Sequence, residues 1–293
     1  VKPADRVIIE SPLRIAVRRY CQHKLAIVAT ILLSIILLTC FGAQLFTKYS
    51  PLEMDFGRMY QKPSLSHPFG TDELGRDVLS RTLYGGRVSL LVGLSAAILS
   101  TIIGVLLGAI AGYYGKMADI IIMRLTDVMM TFPPLIIMLT VAALLQPGLI
   151  NIVIIIGVLR WPPTTRLVRG QFLSLRTREY VLAAQSMGLP DHIVILRHCL
   201  LGVVPMLMAQ ISFAVSTAIL SEAGMSFLGI GISLPTPSWG NMMQQARSIR
   251  VLQQYTWIWA FPALMTLLTI MCINFIGDGL RDALDPQQMI QKG

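Results

Sequence analysis

Charged residues are scarce in this sequence. Only 13% of its 293 residues are Asp, Glu, Lys or Arg, about half the roughly 25% of an ordinary soluble domain. Hydrophobic residues make up 54% and mean hydropathy is +0.67. So little charge does not cover the surface of a soluble globule of this size, which argues against a water-soluble enzyme and against a disordered chain. There are only four cysteines, Cys21, Cys40, Cys199 and Cys272, with no C-x-x-C pair. Three lie in or beside apolar runs, which argues against a disulfide framework or a zinc site and for small buried side chains. All four histidines (His23, His67, His192, His198) fall outside the apolar runs, so no midplane metal site is expected. H-E-x-x-H is missing, and Gly224-Met-Ser226-Phe-Leu228 lacks the closing glycine of a G-x-S-x-G elbow. No G-x-x-x-x-G-K-[ST] loop is present, so the chain does not bind ATP by that route. The net charge of +9 does not read as nucleic-acid binding, because no stretch is both long and polar.

What is present is a series of apolar runs, each near the roughly 20 residues that cross a bilayer. Leu25–Phe46 is the first; it is too long for a signal-peptide core and no A-x-A site follows, so it reads as a retained span. Val88–Ala111 is the second. The long charge-poor stretch that follows divides at Gln146-Pro147-Gly148, giving a third span from about Ile120 to Leu145 and a fourth from about Leu149 to Leu167, with Arg160 and Pro162-Pro163 inside it. Cys199–Ser221 and Trp257–Ile276 complete six. The expectation is an all-α polytopic membrane protein with a cytoplasmic N-terminal segment (1–24), a first span (25–47), an outer loop (48–87), a core of five spans (88–283) containing a loop at 166–198, and a cytoplasmic tail (284–293). Ser11-Pro12 and the following arginines predict a short interfacial helix ahead of span one.

The Lys/Arg distribution orients the spans. With six spans, the side bearing both termini collects about 15 basic residues, among them Lys2, Arg6, Arg14, Arg18, Arg19, Arg176, Arg178, Arg281 and Lys292. The other side has 8, and Arg160 stays within a span. Both termini are therefore expected in the cytoplasm, and most of the +9 is topology.

Inside the spans, Ala96, Ser100, Gly104, Gly108 and Gly112 recur every fourth residue and line one helix face. Such a face lets another helix approach closely, within this chain or from a partner subunit. Arg124 and Asp127, like Asp278 and Arg281, are spaced to pair along a helix. Glu222 stands alone in an apolar stretch and must face a cavity or a hydrogen-bond partner; a cap for the returning chain and a pathway role both stand open.

Two loops exceed what a simple pore needs. In the outer one, Gly70 suits a turn, Thr71 can cap a short helix begun by Asp72 and Glu73, and Asp77 to Tyr84 reads as a second short helix lying on the membrane. In the other, Glu179 to Met187 reads as a short helix, Gly188 as its left-handed cap, Pro190 as its stop and Asp191 as the next N-cap. Ala183 and Ala184 offer a surface of little bulk to another protein.

Together these segments resemble the inner-membrane permease subunits of ABC importers, closest to the C-type permease of dipeptide, oligopeptide and nickel uptake systems. The second loop matches the family's EAA-type coupling motif through Glu179, Tyr180, Val181, Ala183, Ala184, Gly188, Ile193, Arg197 and His198. The outer loop matches the HPxGTDxLGRDxLSR signature from His67 to Arg81, with Gly70, Thr71, Asp72, Gly75, Arg76 and Asp77 in place. Ala223–Gly231, Pro237–Gly240 and Asn274–Pro286 are also family-like. Leu182, Leu189-Pro190 and Leu201-Gly202 depart from the usual pattern.

The resemblance implies a type I importer permease fold in the bacterial inner membrane, without catalytic residues or a cofactor of its own. It implies a second homologous permease subunit, two ATPase subunits that bind ATP and Mg, an extracytoplasmic solute-binding protein, and a coupling helix at about Glu179–Met187. Peptides are the favoured cargo and nickel or a metal chelate the alternative. A secondary transporter or channel is the more distant rival, since it would not need the coupling elbow.

Overall fold

The computed structural model describes residues 12–146 and 148–284. The basic residues Lys2 and Arg6, the break residue Pro147 and the tail 285–293 with Pro286 and Lys292 lie outside the described residues. Those described form helices α1 (Pro12–Tyr20), α2 (Lys24–Phe41), α3 (Ala43–Phe46), α4 (Val78–Tyr114), α5 (Lys116–Thr131), α6 (Pro134–Leu144), α7 (Leu149–Leu159), α8 (Pro162–Leu175) and α9 (Glu179–Ser186). They continue with α10 (Asp191–Phe227), α11 (Trp239–Met243), α12 (Ile249–Gln254) and α13 (Trp257–Leu284). The fold is all-α, and the chain is a multi-pass membrane protein.

Among the described residues, four helices are long and apolar enough to cross a bilayer unbroken: α2, α4, α10 and α13. The other two expected spans are interrupted. Between α5 and α6 the axis turns by 88°, because Pro133 and Pro134 lack N–H groups and force Phe132 into an extended conformation (φ −94°, ψ 145°). A fifth span exists only if this bent pair is counted as one. Between α7 and α8 the helix stops at Arg160, ahead of Pro162-Pro163. The 11 and 14 residues on either side are each too short to cross alone.

The bundle has two distinct ends. α4, 37 residues and about 55 Å long, starts beside the outer-loop signature and finishes beside α9. α1 and the close of α13 lie at the α9 end, where the Tyr20 ring packs on Gly279 and His23 Nε2 stands 3.9 Å from Asp282. α2 returns from there to the signature end, where Arg87 donates to the Phe41 carbonyl at 2.7 Å.

The small-residue face of α4 is filled from within the chain. A methyl on Gly108 would meet Val168 Cβ at 2.7 Å and the Thr165 carbonyl at 2.8 Å; Gly104 and Gly112 lie equally close to Thr164 and Phe172. The buried Ser100 hydroxyl bonds back to the Ala97 carbonyl. α8 thus lies directly on α4, and the partner along this face is not a second subunit. The opposite face of α4 exposes Leu91, Leu94, Ile98, Ile102 and Leu106.

Two expected ion pairs do not form. Asp127 bonds Arg166 of α8 at 2.6 Å instead of its neighbour Arg124, and Asp119 takes both a 2.6 and a 2.7 Å bond from Arg169. Arg166 reaches Asp127 because α8 packs along α5, which brings its guanidinium onto that carboxylate across the helix contact. Asp278 and Arg281 both point outward and do not pair.

Gly108→Val should lower the melting temperature of the detergent-purified protein, by overpacking worth about 1–3 kcal/mol. Gly170→Ala on α8, with nothing within 4 Å of its Cβ, should leave it unchanged or raise it. A Gly108→Val protein as stable as wild type would mean that the two helices do not touch there.

Candidate functional site

The signature residues of the outer loop fold into one buried polar knot. His67, Thr71, Asp72, Arg76 and Asp77 are each at most 4% exposed. His67 Nδ1 lies 2.8 Å from Asp77 Oδ1, and Asp77 Oδ2 accepts the Ser80 N–H at 2.7 Å. Asp77 is therefore the N-cap of α4, and the helix expected at 77–84 is the first part of that span. It runs on unbroken through Gly85 and Gly86, where Ser238 and Trp239 press close against the helix.

Thr71 caps no helix. Its hydroxyl donates to the Arg58 carbonyl and accepts the Gln61 N–H at 2.8 Å. Asp72 closes a turn, accepting the N–H groups of Leu74 and Arg76 through Oδ1 and pairing Arg76 Nε at 2.7 Å through Oδ2. Gly75 sits in the left-handed region (φ +71°) with the Asp55 carbonyl where a Cβ would be, so only glycine fits. Gly70, also at positive φ, accepts the Val78 N–H through its carbonyl. The knot is tied to α13 by a 3.2 Å bond from the Trp257 indole to the Thr71 carbonyl and by stacking of Phe69 on Phe261 at 3.8 Å. What faces outward is the rim, including Phe56, Met59 and Leu65, so the signature builds the shape that a partner would meet.

Glu222 is completely buried and fully partnered. Ser89 of α4 donates to one carboxylate oxygen at 2.8 Å and Ser226 to the other at 2.7 Å. Each hydroxyl in turn accepts a backbone N–H, from Trp239 and from Ile232, both at 3.2 Å. The carboxylate thus holds both sides of the 228–239 segment against α4 and α10. The Trp239 indole adds a 2.9 Å bond to the Thr82 carbonyl.

At the opposite end, α9 starts at Glu179 as expected, and Gly188 adopts φ +74°. Asp191 does not cap; it is the first residue of α10, and its carboxylate accepts the Tyr113 hydroxyl at 2.8 Å, while Gln185 donates to the same hydroxyl at 3.2 Å. Tyr113, near the end of α4, ties α9 to that helix; no local spacing in the sequence announces it. Ala183 and Ala184 do not share a surface. Ala184 is 1% exposed and packs with Val181, Phe172, Val194 and Val203, whereas Ala183 faces outward with Glu179, Tyr180, Leu182, Met187 and Gly188. Adjacent residues on a helix lie about 100° apart, so one alanine serves the core and one the surface. Arg197, in a π-helical stretch at the start of α10, is also exposed.

Glu222→Gln replaces one acceptor oxygen with an NH2 and leaves a buried hydroxyl without a partner. It should cost about 1–3 kcal/mol, read as a lower melting temperature. A variant with wild-type stability that no longer transports would instead place the carboxylate in the pathway.

Residues 104–289 match the model of the binding-protein-dependent transport system inner membrane component, and residues 11–63 that of the N-terminal TM domain of oligopeptide transport permease C. A protein of Brucella suis biovar 1 named as a peptide permease is 44% identical over 276 residues, covering 94% of this chain and 91% of its own. The dipeptide transport system permease protein DppC of Alkalihalophilus pseudofirmus is 39% identical over 97% of this chain and 93% of its own. The glutathione transport system permease protein GsiD of Pectobacterium atrosepticum is 38% identical over 95% and 92%. With its polar knot, its apolar bundle and its projecting α9, the chain belongs to the family of binding-protein-dependent transport system inner membrane components, the permease subunits of ABC transporters.

Proposed function

We propose that this chain forms half of the translocation pathway of an ATP-driven importer of di- or oligopeptides in the bacterial inner membrane. A second homologous permease subunit completes the pathway. Two ATPase subunits bind ATP and Mg and drive it, and an extracytoplasmic solute-binding protein delivers cargo to the knot end. The peptide reading is supported by the relatives above, which are named for peptide, dipeptide and glutathione transport; the nickel alternative has no counterpart among them. Both termini in the cytoplasm is supported by the Lys/Arg tally, and by α1 and the end of α13 lying together at the α9 end.

The observation that carries the mechanism is the division of α9 into two faces. Val181 and Ala184 are locked into the core, while Glu179, Tyr180, Leu182 and Ala183 stand free at the end of the bundle. A push on the free face is transmitted to α4 through Tyr113 and to α10 through the Gly188 turn. ATPase closure thereby biases which end of the pathway is open, as expected for two states selected by nucleotide and cargo.

Gly188 tests this. Its Cβ position is empty within this chain, so inside the subunit an effect of substitution comes from backbone conformation. Gly188→Val, a β-branched residue forced to positive φ at about 1–2 kcal/mol or more, should abolish ATP-coupled uptake in vesicles while the protein still inserts. Gly188→Asn, which tolerates that conformation, should retain transport. Unchanged uptake by the valine variant would remove this turn from the mechanism.

A further inference from the structure

Arg160 is a cation in the apolar bundle with no counter-ion among the described residues. It closes α7, whose Gly157 packs on Leu99, and the next carbonyl, that of Trp161, faces Gly104. Its backbone is therefore level with the middle of the apolar stretch Val88–Ala111 of α4. Among the described residues no ion pair involves it. One terminal nitrogen donates to Ser221 Oγ at 2.7 Å; Nε is buried and has no partner. A bare guanidinium at this depth is costly, and the cost is relieved by an anion or by an aqueous path. The other mid-bundle charge, Glu222, is consumed by its two serines and points at α4.

The surroundings favour a path. Gln210, Thr217 and Ser221 recur at spacings of seven and four along α10, so they form a polar stripe on one face of an apolar helix. Gln210 reaches Thr164, one turn beyond Arg160, at 3.3 Å. Towards the knot end, a cavity of about 460 Å³ is lined by Ile155 of α7 and Ser226 of α10. Arg160 and Ser221 lie five residues further along those same two helices, about 7.5 Å deeper. A cavity near the knot end and, about 7.5 Å deeper on the same two helices, a neutral hydrogen-bonding stripe with one positive charge on it thus follow one another along α7 and α10.

We propose that Arg160 binds the cargo during transit, its guanidinium taking the C-terminal carboxylate of the peptide. The inference rests on the peptide reading above. Ser221 takes one hydrogen of the terminal nitrogen Nη2 and Nε is enclosed, which leaves the end of the group, Nη1 with the second Nη2 hydrogen, for a carboxylate, the anion whose geometry a guanidinium fork matches. A peptide's N-terminal ammonium would be repelled here, so the carboxylate leads or trails alone.

The test uses the whole complex in proteoliposomes, with trialanine and trialanine amide each supplied at a concentration that saturates the solute-binding protein. Wild type should take up the acid faster than the amide. In Arg160→Gln the rate for the acid should fall about tenfold, the scale of one lost charge-assisted bond, with the amide rate little changed; Arg160→Lys should keep most of the preference. Undiminished acid uptake by Arg160→Gln overturns the proposal. Equal loss for acid and amide also overturns it, and makes Arg160 a cap on the α7 dipole. So does loss of the second permease subunit on purification, which would assign the cation to an acid of that subunit. If wild type takes up neither probe while the binding protein is saturated, the peptide reading itself fails.

Discussion

The close approach of α4 and α8 is the contact on which the rest depends. Three glycines let α8 lie against the α4 backbone, and that sets where the chain leaves the bundle to form α9. The N-terminus of the same α4 is capped by Asp77 within the knot, and its far end carries the Tyr113 that holds α9. One stiff helix of about 55 Å therefore joins the end that would meet a binding protein to the end that would meet an ATPase. A change at either end is felt along it, because packed helices shift between discrete arrangements more readily than they deform.

The second organising constraint is that polar groups inside an apolar bundle find their partners within it. Asp72, Asp77 and Glu222 obey it through backbone N–H groups, hydroxyls and arginines, and each uses its bonds to hold a segment that is not itself a span. Their burial makes them architectural even though the loops they organise face outward. Arg160, with one hydroxyl and no acid among the described residues, departs from that constraint, as do the unpartnered hydroxyls of Thr101 and Thr269. An unpaired hydroxyl costs little beside a charge, so it is the charge with an incomplete set of partners that marks a position where something else is expected to bind.

Much of this was legible in the sequence. α2, α4, α10 and α13 follow from run length and hydropathy, α9 from its Glu179 start and Gly188 stop, and the α4 contact face from its four-residue repeat. The 88° bend was less so, because the hydropathy of 120–145 reads as one span and the Pro133-Pro134 pair inside it is a local conformational signal. Asp127 was expected to pair within its own helix, yet its partner comes from α8, and no local pattern encodes a contact 39 residues away. The division between Ala183 and Ala184 depends on which side of a two-turn helix meets Phe172 and Val203. The knot was recognisable as a signature, but its real product, the cap of a 37-residue helix, needed the His67–Asp77–Ser80 geometry.

The central claim is that the outward face of α9 meets an ATPase subunit and its inward face does not. It is tested most directly by cysteine cross-linking in the assembled complex, in a background with the exposed Cys21 replaced by serine. Ala183→Cys should cross-link to the ATPase subunit, with a yield that changes on adding ATP, and Ala184→Cys, one residue along and buried, should not. Cross-linking through Ala184→Cys alone, or through neither, would contradict the account.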